Sequence, residues 1–121
     1  MRGRLGDVVR LHHIYDAIVE IEAYLIGVNL DGFNTQSMLR NACIKQLEII
    51  GEASDHISME LKEKHSGIEW NQIKGMRNIL VHEYFGIDST LIWQIIQFDL
   101  PDFKEKIYEI LQSMTADDSA E

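Results

Sequence analysis

Apolar residues spaced three and four apart recur along almost the whole chain, and no run alternates with period two. That pattern restricts the chain to helices. Leu11, Ile14, Ile18, Ile21 and Leu25 predict a first helix from about Asp7 to Ile26, ended by Gly27 and an Asn29-Leu30-Asp31-Gly32 turn. After a cap at Asn34 or Thr35, the stripe Leu39, Cys43, Leu47, Ile50, Ser54, Ile57 and Leu61 predicts one helix over 36–64. Its length would be about 43 Å. Gly51 falls inside it at a cost of about 1 kcal/mol against Ala. Either a kink or the close approach of another backbone, from a crossing helix or a second copy, accounts for such a residue.

His65-Ser66-Gly67 breaks the pattern, and Trp70, Ile73, Met76 and Leu80 open a third helix. Asp88 or Ser89 then caps a fourth stripe of Ile92, Ile96, Leu100, Phe103, Ile107, Ile110 and Met114, with Trp93 set against the third helix. The spacing carries across Pro101. A helix to about Phe98, a kink or break, and a last helix with Pro101 in its first turn satisfy both. The expected fold is an all-α, up-and-down bundle of four main helices, the last broken near Pro101. One domain is expected over 1–114, followed by an acidic tail over 115–121 that frays.

With 121 residues, 45% apolar and 26% charged, the chain can bury about two-thirds of its unfolded surface and is not disordered. Its single cysteine, Cys43, lies on an apolar stripe and reads as a packing thiol. Asp7 and Arg10 break the apolar run at Val8 and Val9, so no signal peptide is read there. No stretch approaches the roughly 20 apolar residues of a membrane span, and the cytoplasm is the expected compartment. His12 and His13 near Asp16 and Glu20, and Glu52 near His56, have spacings that metal ligands use. Without a further ligand, solvated helix faces explain both, and no metal or cofactor is expected.

The formal charge of −9 argues against bulk nucleic-acid binding, though it leaves room for a local basic cleft or a basic protein partner. Glu60, Glu63, Glu105 and Glu109 interleave with lysines as surface pairs. Arg40, Lys45 and Glu52 are the other polar residues that stand out on the second stripe.

The densest polar chemistry lies in Arg77-Asn78-Ile79-Leu80-Val81-His82-Glu83-Tyr84. Arginine grips phosphate oxygens in a planar fork, and histidine can take or give a proton near neutral pH. Together they suit phosphodiester cleavage without a metal; a capped and wetted helix face is the plain alternative. On an ideal helix Asn78 and His82 share one face. Arg77 and Tyr84 share another, turned by about 100–120°. Arg77 and His82 therefore converge only if the helix loosens near its end or a second copy faces the first. Gly86 is a candidate C′ residue.

Arg-Asn-x-x-x-His-x-Tyr resembles the R-x4-H-x-Y signature of HEPN-domain ribonuclease toxins, specifically the HepT-like branch. Family-like pieces also stand at Gln46-Leu47-Glu48-Ile49-Ile50-Gly51-Glu52-Ala53, Ile68-Glu69-Trp70, Gly75-Met76-Arg77-Asn78 and Asp99-Leu100-Pro101, and the similarity runs from about Leu11 to Leu111. The resemblance implies a helical bundle that forms a homodimer, with two R-x4-H motifs lining an interfacial cleft. It implies a metal-independent RNA endonuclease, the toxin of a type VII-like toxin–antitoxin pair. His82 would then shuttle the proton, Arg77 would stabilise charge on phosphorus, and Asn78 would orient His82 or bind a phosphate oxygen. Tyr84 matches the tyrosine to which a partner nucleotidyltransferase antitoxin adds AMP. A non-catalytic subunit of a nucleotidyltransferase and a purely structural dimer module keep the same fold without the chemistry.

Overall fold

A computed structural model describes residues 2–82 and 86–120, and no strand occurs among them. The elements are α1 (Arg2–Tyr24), α2 (Leu30–Thr35), α3 (Ser37–Asp55), α4 (Met59–Lys64), α5 (Trp70–His82) and α6 (Ser89–Gln94), then a π-helical turn (Ile95–Asp99) and α7 (Leu100–Ala120). α3 lies between α1 and α5, and α7 packs on α1. Leu11, Ile14, Ile18 and Ile21 from α1 meet Leu47 and Ile50 from α3, Leu80 from α5 and Ile107 from α7, all buried. The architecture is the expected all-α bundle, and the stripes read from the sequence are its core.

Local chemistry moves several boundaries. α1 begins at Arg2 rather than near Asp7. Asp7 does not cap its own helix; it is buried, and its carboxylate accepts from the Ser58 N–H at 2.8 Å and the Ser58 hydroxyl at 2.6 Å. The 36–64 segment is two helices, because α3 stops at Asp55 and Ser58 caps α4 by accepting from the Leu61 N–H. Ile57 and Leu61 stay buried across the break, so the apolar spacing does not register it.

The segment read as a turn at 29–32 starts helix α2. The Asn29 side chain accepts from the Gly32 N–H at 2.9 Å. Phe33 is then fully buried, with its ring 5.3 Å from that of Trp93. Trp93 therefore packs on α2.

The fourth stripe runs on as continuous helix, α6 passing through the π turn into α7. Pro101 has no N–H for the carbonyl four residues back, and its ring would crowd that carbonyl. The π turn widens the helix just before it, with the Leu100 N–H reaching back to the Ile95 carbonyl. Trp70 and Phe103 meet edge-on at 6.4 Å, joining α5 to α7. Past Met114, where the sequence reading ends the domain, the backbone continues as helix to Ala120.

Cys43 is fully buried, and burial pushes its thiol up to about 11, so it is protonated at neutral pH as a packing residue would be. Gly51 is also buried, at the crossing of α3 with α5. A Cβ there would lie 2.7 Å from the Arg77 Cγ and closer still to the Arg77 Cβ. Of the two readings the sequence left open, close approach is the one observed, and the approaching element is a crossing helix of the same chain. Gly51→Ala gains about 1 kcal/mol of helix propensity. Against this, forcing the two helices apart costs typically about 1–3 kcal/mol, since the obstructing atoms lie next to the α5 backbone. A net loss of stability is expected in urea unfolding; an unchanged or raised midpoint would mean that the crossing yields freely.

Candidate active site

α5 presents its residues at three levels. Leu80 is buried in the core, while Ile73 and Met76 are half-buried beside it. Arg77 sits on the flank that faces α3. Asn78 and His82 lie on the exposed side. The helix is regular through His82, so Arg77 and His82 are about 140° apart around its axis. Within one chain the structure does not bring them together. Asn78 links the faces, because its Oδ1 accepts from the Arg77 guanidinium at 3.3 Å. Tyr84 lies outside the described residues, as does the stretch from Glu83 to Phe85.

Arg77 is held by a residue the motif does not contain. Its Nη2 donates to Glu52 Oε2 at 2.8 Å, with the side chains 30% and 52% exposed respectively. Gly51 makes this possible: without a Cβ there, α5 comes near enough for Arg77 to reach the next residue of α3. Lys74 and Asp55 add a looser pair at 3.9 Å along the same crossing. Glu52 also approaches His56, whose Nδ1 lies 3.7 Å from Glu52 Oε1 and 2.9 Å from the Glu52 backbone carbonyl.

These groups border an open groove of about 540 Å³ running over α3. From α1 it takes Val9, Arg10 and His13; from α3, Lys45, Glu48, Ile49, Glu52, Ala53 and His56; from α5, Arg77 and Val81. Three cations and two histidines thus meet two carboxylates over an apolar floor. On a chain of net charge −9, the groove gathers three cations against two carboxylates, a local excess of positive charge. Such a surface can hold a phosphate at its rim and an apolar or aromatic ring on its floor.

The contributions of Arg10, His13 and His56 went unread in the sequence, because the groove is built from three helices far apart in the chain. Only the i,i+4 spacing of Glu52 and His56 hinted at it, and in the structure His56 Nδ1 contacts the Glu52 backbone carbonyl. Among the described residues, no three His, Cys, Asp or Glu side chains gather as a metal site would require. None of the described helices is long and apolar enough to cross a membrane. Arg40, noted on the second stripe, donates instead to the backbone carbonyls of Asn34 and Phe33, tying α3 to the end of α2.

The fold and the Arg-x4-His helix together define a class of small all-α domain. The chain belongs to the ribonuclease HepT-like family, whose model matches residues 14–110. It is 39% identical over 106 residues, 88% of its length, to a "gamma-glutamylcyclotransferase and putative RNase" of Methanocaldococcus jannaschii, and spans 48% of that relative. It is 37% identical to a "putative RNase" of Caldanaerobacter subterraneus over 84% of this chain and 91% of the relative. A "probable ribonuclease HepT" of Thermococcus cleftensis is 35% identical over 83% of this chain and 91% of its own. No solved structure matches the chain.

The Arg77–Glu52 pair is partly exposed, and pairs of this kind contribute about 0–1 kcal/mol. Glu52→Gln is therefore expected to shift the unfolding free energy by less than about 1 kcal/mol. A much larger loss in a denaturant titration would make the pair a structural strut rather than a means of aiming Arg77.

Proposed function

We propose that this chain is a metal-independent RNA endonuclease, the toxin of a type VII-like toxin–antitoxin pair. The observation that carries this reading is the placement of Arg77 on a basic groove, five residues before His82, in a member of a ribonuclease family. Arg77 stabilises negative charge on the phosphate as the 2′-hydroxyl attacks, and His82 transfers a proton. Asn78, bonded to Arg77 and one turn from His82, keeps the two faces of α5 in register.

Because Arg77 and His82 point about 140° apart, the productive assembly is a homodimer in which each RNA site takes residues from both copies. Purified protein should cleave RNA in the presence of a chelator and leave 2′,3′-cyclic phosphate ends. Arg77→Ala and His82→Ala should each lower the rate by about 10²-fold or more. Mixing those two variants should restore part of the activity, since one composite site of the mixed dimer is intact. Cleavage abolished by chelator and rescued by magnesium would replace this mechanism with a metal-dependent one. Failure of the mixed variants to complement would place the site within one chain. An unchanged rate in both single variants would favour the alternative of a non-catalytic subunit bound to a nucleotidyltransferase, which the net charge of −9 also accommodates.

Control by a cognate nucleotidyltransferase antitoxin completes the proposal. A tyrosine phenol is a poor nucleophile at neutral pH, so the enzyme must supply the base and the metal-bound nucleotide. AMP on Tyr84 would add charge and bulk two residues from His82 and block RNA. Incubation with such an enzyme, ATP and magnesium should add AMP mass and silence cleavage. If Tyr84→Phe gains the same mass and is silenced equally, the assignment of Tyr84 is wrong.

A further inference from the structure

Cleavage by a 2′-hydroxyl needs two proton transfers, one from the attacking oxygen and one to the departing oxygen. The Arg-x4-His pattern supplies one histidine per chain, and in each chain it lies on the far side of α5 from the groove. His56, from the C-terminal end of α3, lies in the groove itself beside Arg77. Its Nδ1 is 2.9 Å from the Glu52 carbonyl oxygen, which can only accept, so that nitrogen carries the proton. The neutral ring therefore presents Nε2 as its basic nitrogen. The ring is half-exposed, and a substrate in the groove can reach it.

The Glu52 carboxylate lies between the two groups. One oxygen takes the Arg77 guanidinium at 2.8 Å and the other lies 3.7 Å from His56 Nδ1. Arg77 and the Nδ1 edge of His56 thus flank a single two-oxygen anion, with the basic Nε2 being the ring's other nitrogen. A phosphodiester offers two non-bridging oxygens of the same kind and can take over the guanidinium.

We propose that His56 is a second acid–base catalytic residue, acting on the phosphodiester that Arg77 holds in this groove. The inference rests on the ribonuclease reading above. In the forward step one histidine takes the 2′-hydroxyl proton as the O2′–P bond forms. The P–O5′ bond breaks, and O5′ takes a proton from the other histidine. The products are a 2′,3′-cyclic phosphate and a 5′-hydroxyl. The two imidazoles have exchanged protonation states, which solvent resets. His56 serves one end of this exchange and His82 of the facing copy serves the other. The charged and titratable groups that share the groove with His56 are Lys45, Glu48 and Glu52 from α3, Arg10 and His13 from α1, and Arg77 from α5.

The test uses the full-length protein and a labelled oligoribonucleotide. His56→Ala should lower kcat by about 10²–10⁴-fold, with KM changed by less than about threefold. It should also remove one limb of a bell-shaped pH–rate profile. Because that variant could be misfolded, the wild type is titrated in parallel with an uncleavable 2′-deoxy-substituted oligonucleotide while the His56 ring resonances are followed. They should move on binding, and should stay still in Arg77→Ala. A wild type that cleaves normally, beside a folded His56→Ala variant with unchanged kcat, would overturn the inference and leave the ribonuclease reading standing. His56 resonances that ignore the bound oligonucleotide would overturn it too. A wild type that neither cleaves RNA nor binds the oligonucleotide would remove the ribonuclease reading, and this inference with it.

Discussion

The close crossing of α3 and α5 is the contact on which the rest of the site depends. Gly51 carries no side chain because the Cβ and Cγ of Arg77 occupy the space one would need. The consequence is both mechanical and chemical. The two helices approach closely, and the arginine whose Cβ and Cγ impose the constraint delivers its guanidinium to Glu52, the next residue along. A chain that kept Arg77 but replaced Gly51 would retain the motif and lose its placement. Helix propensity alone would place alanine at this position, and its absence is accounted for by the crossing.

Charge is distributed in the same economical way. The chain as a whole repels polyanions, yet Arg10, Lys45 and Arg77 converge on one groove with two histidines. Glu48 and Glu52 temper that patch. In a partly exposed setting such pairs add little to stability, so their main physical effect is on orientation. An arginine side chain left free would sample many rotamers. Tied to a carboxylate at 2.8 Å, it waits in one place, and a phosphate must displace that carboxylate to bind. Under the proposed function, specific capture of one phosphate and poor affinity for bulk nucleic acid would both follow from this one arrangement.

What the sequence revealed and what it concealed divide along physical lines. The apolar stripes gave the main helices and almost the entire core, because three-four spacing is a direct record of burial. Asp88 was legible as a cap, since its side chain accepts the Thr90 N–H as a capping residue should. Breaks that preserve the spacing were not legible. Ser58 interrupts the second stripe, while Ile57 and Leu61 keep their places in the core, and the interruption is stabilised by Asp7 from the far end of the chain. The π turn before Pro101 likewise inserts its widening without shifting the buried residues off their stripe. α2 was missed because a six-residue helix is too short to display a period, and its anchor, Phe33 against Trp93, is a tertiary contact. Of the site residues, Arg77, Asn78 and His82 stood out as a local pattern, whereas Arg10, His13 and His56 become neighbours only once α1, α3 and α5 are packed.

The angular separation of Arg77 and His82 bears on why a helix would carry both. A single rigid helix cannot aim residues five apart at one phosphate, and α5 stays regular through His82. Its two faces therefore have different surroundings. The inner flank is committed to α3, where packing and the Glu52 pair determine the position of Arg77. The outer face, with Asn78, Ile79 and His82, is left exposed, and Ile79 is 46% accessible despite being apolar. A single exposed isoleucine is ordinary on a protein surface, so the case for a second copy rests on the angle between Arg77 and His82. In a two-fold assembly, the outer face of one α5 would complete what the inner flank of the other begins. The same geometry underlies the role proposed for His56: of the two imidazoles on the inner side, it is the one beside Glu52, which holds Arg77.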